Sequence, residues 1–249
     1  MKIAVYSFGL NEQANVQDWL KSCDEADHIT FCDTGSTDGT RSEFLVACAQ
    51  SSLLRQRLAI HQISIRPWRF DVAHNTALAL VPADADICIP LHMDERLQPG
   101  WRDALEAAWA GTRFTKAWYD YEFAPTLTFR QNRIHARHGY VWRYPAHEGI
   151  YRYDDEPEVG VNTALKIVQQ QDLAKDRMSR DLWLLELGLR ENPHSGRCHF
   201  YYGRQLMYAG RYQEAVPLLR KYLSMPDAWP GEAAQAADAL AICYRNGAK

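Results

Sequence analysis

The sequence has no cysteine pair at metal-ligand spacing: Cys23, Cys32, Cys48, Cys88, Cys198 and Cys243 are scattered, with no C-x-x-C among them. This speaks against a zinc cage and a disulfide framework, so most of the six are expected as reduced core thiols. No stretch reaches the roughly 18 apolar residues of a membrane span, and the opening MKIAVYSFGLNEQ turns polar too early for a secretion signal. The chain is therefore expected in the cytoplasm. An excess of either charge is missing too: 28 Lys and Arg stand against 31 Asp and Glu in 249 residues, a net charge of -3. Coating of nucleic acid or anionic membrane by bulk charge is disfavoured, although a local basic patch stays open. Neither G-x-x-x-x-G-K-[ST] nor G-x-G-x-x-G occurs, which disfavours a conventional ATPase or dehydrogenase.

What is present is an ordinary globular composition, 47% apolar and 24% charged, sufficient to bury a sizeable core. Residues 2–8 and 28–32 are short β-prone runs, each followed by a polar turn. Between them Asn15 is placed to cap a helix whose apolar positions Val16, Trp19, Leu20 and Cys23 have helical spacing. Further helices are expected over 41–50, 71–81 and 99–110, with strands over 58–65 and 86–91. Strands alternating with helices predict a parallel α/β sheet covered on both faces, with ligands beyond the strands' C-terminal ends. From Lys116 to Tyr153 aromatic and β-branched residues alternate with charges, as in exposed antiparallel strands and loops, and this half is expected to close over the first. From Asp176 onward strand signals vanish, and helices are expected near 177–191, 196–209, 212–224 and 231–245. H-x-x-Y-G-x-x-L at 199–206 with A-x-x-x-L at 215–219 has tetratricopeptide spacing. The expected organisation is thus an α/β domain over 1–170 and a helical, repeat-like tail over 171–249. That tail either completes a core or offers a partner-binding surface.

Three constellations could carry chemistry. Asp33-Thr34-Gly35-Ser36-Thr37-Asp38-Gly39-Thr40 follows a strand directly; its glycines let backbone approach a ligand, and Asp33 can accept from a base or ribose. The same segment also reads as a strand-to-helix loop in which Asp38 or Thr40 caps the next helix. In His92-Met93-Asp94-Glu95, residues two apart in an extended segment point the same way, so His92 and Asp94 could share one hard cation, with Mn²⁺ tolerating the imidazole better than Mg²⁺. Equally, Asp94 or Glu95 could serve the turn. His147-Glu148 sits in a stretch where Glu148 is the lone acid among Arg130, Arg133, Arg137, Arg143 and Arg152. Those arginines either keep Glu148 ionised and bind phosphate or lie on solvated strand faces.

Leu10-Asn11-Glu12, DTGSTDGT at 33–40, Trp68-Arg69-Phe70 leading into Ala73-His74-Asn75, HMDE at 92–95, Phe129-Arg130-Gln131-Asn132 and His147-Glu148 together resemble a family 2 glycosyltransferase. The resemblance spans residues 3 to about 150, and the tail is similar to the repeat-bearing C-terminus of one branch of that family. It implies the nucleotide-sugar-binding GT-A fold, a Rossmann-like α/β domain, and a metal-dependent transferase that inverts the sugar it moves from a nucleoside-diphosphate sugar, a UDP-sugar foremost. It places the donor against Ser7, Asn11, Asp33, Arg69, Asn75 and Met93. Asp94 would hold a divalent ion, with His92 and His147 as further ligands, and Glu148 or Asp120 would be the base. The family's usual D-x-D has His92 in place of its first Asp, and its usual Arg-Asn reads His74-Asn75.

Two further readings follow from these departures and from the basic aromatic stretch. One is a module that has lost catalysis and binds nucleotide sugar or recruits a partner through the tail, self-association included. The other is a transferase whose acceptor is a nucleic acid base, with the aromatic residues stacking on bases.

Overall fold

A computed structural model describes residues 1–170, 178–226 and 228–247. The expected tail boundary at 171 and the helix start near 177 lie outside the described residues. The chain divides into two compact units: Met1–Arg143 with Gly149 onward through the last strand, and Tyr144–Glu148 with the C-terminal helices.

The first unit runs β1 (Ile3–Gly9), α1 (Val16–Ser22), β2 (His28–Asp33), α2 (Thr40–Gln50), α3 (Ser52–Arg57), β3 (Leu58–Gln62), α4 (Phe70–Leu80), β4 (Ile87–Pro90), β5 (Glu95–Leu97) and α5 (Trp101–Gly111). It continues with β6 (Lys116–Ala124), β7 (Leu127–Ala136), β8 (Tyr140–Arg143), β9 (Gly149–Arg152) and β10 (Gly160–Gln169). Eight strands form one sheet in the order β3-β2-β1-β4-β7-β6-β10-β5, of which β3, β2, β1 and β4 are mutually parallel. All seven residues of β1 are buried, as a strand covered on both faces requires. Side-chain alternation sorts its residues between two cores. Ile3 and Val5 join Ile29, Phe31, Ile87, Trp19, Phe44 and Trp101, whereas Ala4, Tyr6 and Phe8 join Cys88 and the α4 residues Ala73, Ala77 and Leu78.

Two expectations need correction. The aromatic stretch does not fold over the first half as a separate layer, because β7 pairs antiparallel with β4, Ile87 opposite Ala136 and Cys88 opposite His135. The β6–β7 hairpin therefore extends the same sheet, with Ala117, Tyr119 and Tyr121 buried on one face; β8 and β9 alone form a separate ribbon. Asn15 does precede α1, but its side chain makes no cap bond. It donates instead to Glu12 (2.7 Å) and accepts from Arg96 Nη2 (3.2 Å), tying the start of α1 to the far side of the sheet's switch point.

The second unit contains α6 (Met178–Glu191), α7 (Gly196–Tyr208), α8 (Tyr212–Leu223) and α9 (Pro230–Arg245). Ser195 caps α7, its Oγ accepting from the Cys198 N–H. Gly203 lets α7 and α8 approach closely: a Cβ there would lie 2.9 Å from Leu219 Cγ, inside van der Waals contact.

Candidate active site

The chain adds β2 and β3 on one side of β1 and then crosses to place β4 on the other. Loops leaving β1 and β4 therefore diverge and open a crevice beyond their C-terminal ends. Three segments border it: Leu10–Gln13, 34–39 and His92–Asp94.

The first two are knitted together through polar bonds. Asn11 sits in the left-handed region (φ 58), a conformation asparagine tolerates better than most residues. Its Oδ1 accepts from the Thr37 N–H (2.8 Å) and its own N–H donates to Ser36 Oγ (2.9 Å). Gln13 Oε1 accepts from the Gly39 N–H (3.0 Å), and the Glu12 N–H donates to Thr40 Oγ1 (2.7 Å). Asp33, 3% exposed, turns the loop by accepting on Oδ1 from the Ser36 N–H (2.9 Å). Asp38 Oδ1 accepts from the Thr40 N–H (2.9 Å) at the start of α2. The loop reading holds, since Asp38 secures the helix start, and Asp33 stands at the end of β2. Ser7 is buried near the end of β1.

The third segment differs from its expected shape. His92–Glu95 is a turn, closed by the Glu95 N–H donating to the His92 carbonyl (2.9 Å), so the alternation of an extended strand does not apply to it. His92 turns its ring toward Phe8 and His74, at centroid distances of 5.9 and 5.2 Å. Asp94 instead accepts on Oδ2 from Gln169 Nε2 of β10 (3.0 Å). Met93 is buried against Gly9, where a Cβ would come within 3.2 Å of Met93 Cγ; glycine at the end of β1 makes room for the turn.

A buried network that sequence reasoning missed holds this turn. Glu95, 1% exposed, accepts from Arg133 Nη2 (2.6 Å) and Tyr121 Oη (2.8 Å) on Oε1, and from the His92 N–H (2.9 Å) on Oε2. Burial opposes its charge, but Arg133, with the His92 amide, outweighs that and holds the carboxyl at about 2. Burial and the neighbouring carboxylate raise the Tyr121 hydroxyl far above its usual range. Arg96 then clamps the same turn from below, donating to the carbonyls of Met93 (2.7 Å) and Glu95 (2.9 Å). The acid in HMDE was visible in the sequence; its partner lies 38 residues away, among arginines that look alike.

Those arginines are largely engaged elsewhere. Arg130 pairs with Asp120 (2.8 Å), Arg137 donates to the carbonyls of Val81 and Pro82 behind α4, and Arg152 pairs with Asp154. Asp120 is half-exposed and, by strand alternation, on the sheet face opposite Tyr119 and Tyr121. Arg69 makes a fork-on-carboxylate pair with buried Asp71 (3.0 and 2.8 Å). The Asn75 amide donates to the Trp142 carbonyl and accepts from its N–H, both at 2.9 Å, supplying β8 with a strand-like partner. His74 stacks on Trp142 at 3.9 Å. Behind it Trp142 Nε1 donates to Tyr6 Oη (2.8 Å), which meets His135 Nε2 (3.0 Å); His135 Nδ1 faces the Ala136 carbonyl (2.7 Å) and must donate to it. His147 and Glu148 belong to the second unit.

The architecture is the GT-A glycosyltransferase fold, as expected, with a C-terminal helical unit. Among solved structures the chain is similar to TarS of S. aureus, with a TM-score of 0.56 at 11% identity, covering 99% of this chain and 54% of that one. The TarS fragment 1-349 in complex with UDP-GlcNAc gives 0.54 at 12%, covering 99% and 81%. The mannosyltransferase PcManGT from Pyrobaculum calidifontis in complex with GDP-Man and Mn²⁺ gives 0.54 at 15%, covering 98% and 86%. No protein-family model matches the chain, and no curated protein matches it significantly.

Proposed function

We propose that this protein is an inverting glycosyltransferase that moves a sugar from a nucleoside-diphosphate sugar, a UDP-sugar foremost, to an acceptor oxygen, sulfur or nitrogen. The observation that carries the reading is the pair Asp33 and Asp94, on two loops bordering the switch-point crevice of a GT-A fold. Neighbours of that fold were captured with UDP-GlcNAc or with GDP-Man and Mn²⁺. Asp33 uses only Oδ1 within the loop among the described residues, which leaves Oδ2 for a base or ribose hydroxyl. Ser7, Asn11 and Met93 shape the nucleoside end. Arg69 and Asn75, already partnered, act on the donor through the loop and ribbon they hold.

The donor set suits a divalent ion. Asp94 supplies a half-buried carboxylate oxygen, and the preference for Mn²⁺ over Mg²⁺ requires the His92 ring to swing from Phe8 and His74 toward the same ion. His147, whose ring is stacked on Tyr201 at 4.2 Å, is the less available imidazole. When bound, the ion supplies positive charge for the leaving diphosphate. The sugar's anomeric C–O bond to that diphosphate breaks as the acceptor's bond forms, and a carboxylate receives the acceptor's proton. Glu148, in the His147–Glu148 pair that resembles the family's, is assigned this role; Asp120, paired with Arg130, is the other candidate. The helical unit is read as tetratricopeptide-like, a domain of its own that begins near residue 171 and is suited to self-association or partner binding.

The test is nucleoside diphosphate release from a panel of UDP-, GDP-, CDP- and TDP-sugars with Mn²⁺. Release that is abolished by Asp94→Ala and Glu148→Gln but retained in Asp120→Asn supports the assignment. Binding of nucleotide without release from any donor favours the non-catalytic module instead.

A further inference from the structure

Residues Tyr144–Glu148 connect β8 to β9 in the chain, yet they pack with the helices of the second unit. Pro145 and Ala146 are buried. Ala146 lies with Leu184, Leu185 and Gly188 of α6 and Cys198 and Tyr201 of α7 around a residual void of only about 10 Å³. Gly188 is part of that fit, since a Cβ there would stand 3.3 Å from Pro145 Cδ.

The short segment holds two non-glycine residues in the left-handed region, Tyr144 (φ 78) and His147 (φ 49). Such conformations persist where the surroundings over-determine them. Ser195 Oγ donates to Tyr144 Oη (3.4 Å). The His147 ring stacks on Tyr201, 4.2 Å between centroids and 18° from parallel. Arg197 completes the hold. Its Nε and Nη2 both donate to the His147 carbonyl, at 2.8 and 2.7 Å, while its guanidinium lies 4.7 Å from the Tyr201 ring centre. Arg197 and Tyr201 are four residues apart on α7, the spacing that brings helical side chains together.

We propose that Arg197 is a positioning residue for Glu148: by gripping the His147 carbonyl with two N–H groups, it fixes the His147–Glu148 peptide plane and thereby aims the Glu148 carboxylate. The inference rests on the role assigned to Glu148 above. It gives the helical unit a specific task, since α7 supplies both the grip and the ring against which the loop is stacked. Replacing the planar fork by an ammonium keeps the charge but not the two-point geometry.

The experiment compares Arg197→Ala, Arg197→Lys and Glu148→Gln with the wild type, reading backbone ¹⁵N order parameters at 146–149 and the kinetics of nucleoside diphosphate release with water as acceptor. In Arg197→Ala the order parameters are expected to fall from about 0.85 to below 0.6, and kcat by up to about 100-fold, the cost of a misplaced catalytic group, with the donor KM unchanged. Arg197→Lys should fall between, and it serves if the alanine variant does not fold. Glu148→Gln should keep wild-type order and lose kcat. A loop that stays rigid in Arg197→Ala, or an unchanged kcat beside an inactive Glu148→Gln, overturns the proposal. A fully active Glu148→Gln removes the assigned base, and with it what Arg197 was proposed to aim, whereas the order parameters show separately whether the grip itself exists.

Discussion

Replacing Arg133 by leucine removes the guanidinium that pairs with Glu95 inside the sheet. Glu95 is 1% exposed and loses its 2.6 Å partner, keeping only Tyr121 Oη and the His92 N–H. Stranding one member of a buried ion pair costs about 3–5 kcal/mol, which for a chain of this size lowers Tm by roughly 6–20 °C. The pH dependence carries a second signature. Because the folded carboxyl titrates at about 2 against an ordinary 4.5, the unfolded chain binds more protons in that window. The wild type therefore loses this stability as pH falls from about 4.5 toward 2. With Arg133 gone the Glu95 pKa rises, and the loss in that window should shrink. Thermal unfolding followed by near-ultraviolet circular dichroism, repeated between pH 2.5 and 7, reads both effects. The double variant Glu95→Leu with Arg133→Leu should regain much of the stability, since an apolar pair avoids desolvating two charges, but not donor affinity, because the His92 N–H has lost its acceptor. If Arg133→Leu costs less than about 1 kcal/mol, as a surface pair would, or if the double variant binds donor normally, the network does not hold the turn.

Further outcomes follow from neighbouring parts of the structure. His135 is fully buried, and burial chiefly lowers its pKa to about 3 from 6.5; stability should fall with pH between 6.5 and 3, about tenfold in the folding constant per unit. Urea titrations of wild type and His135→Gln should differ in slope by about one proton there; equal slopes contradict the buried neutral imidazole. Asn11→Ala should be less stable than Asn11→Gly by about 1 kcal/mol, because glycine, unlike alanine, adopts φ 58 without strain, and both should weaken nucleotide binding; denaturant midpoints in the reverse order count against this. Gly203→Val drives a side chain into Leu219 and should cost about 1–3 kcal/mol, visible as a lower midpoint for the helical unit.

Local signals were legible where one segment carries the whole cause. The apolar runs of β1 and β2, the helical spacing around Trp19, and the breaks at Asn192-Pro193 and Gly210 located elements to within a residue or two. Three elements escaped. β5 is three residues long and reads Glu-Arg-Leu, two charges that are buried only because Arg133 and the turn carbonyls satisfy them. β10 has a register shift between Asn162 and Lys166 that breaks its alternation, and α3 follows α2 almost without a break. At the candidate site, the segments 33–40 and 92–95 stood out in the sequence, and both fall on loops that follow strands of the parallel part of the sheet. Their geometry was not legible, because His92–Glu95 closes as a turn held by residues as far away in sequence as Arg133 and Gln169. The same distance problem hid the use of Asn75 as a partner for β8 and of Arg130 as a partner for Asp120, both of which look like free polar groups in sequence.

The proposed function requires a nucleoside diphosphate held at the crevice with a divalent ion on Asp94. Titration calorimetry with UDP and GDP, in Mn²⁺ and then in excess chelator, on the wild type and Asp94→Ala, tests it most directly. Mn²⁺-dependent binding of at least one nucleotide is expected, lost in chelator and in Asp94→Ala. Binding that survives both, or no binding of either nucleotide to the folded wild type, contradicts it.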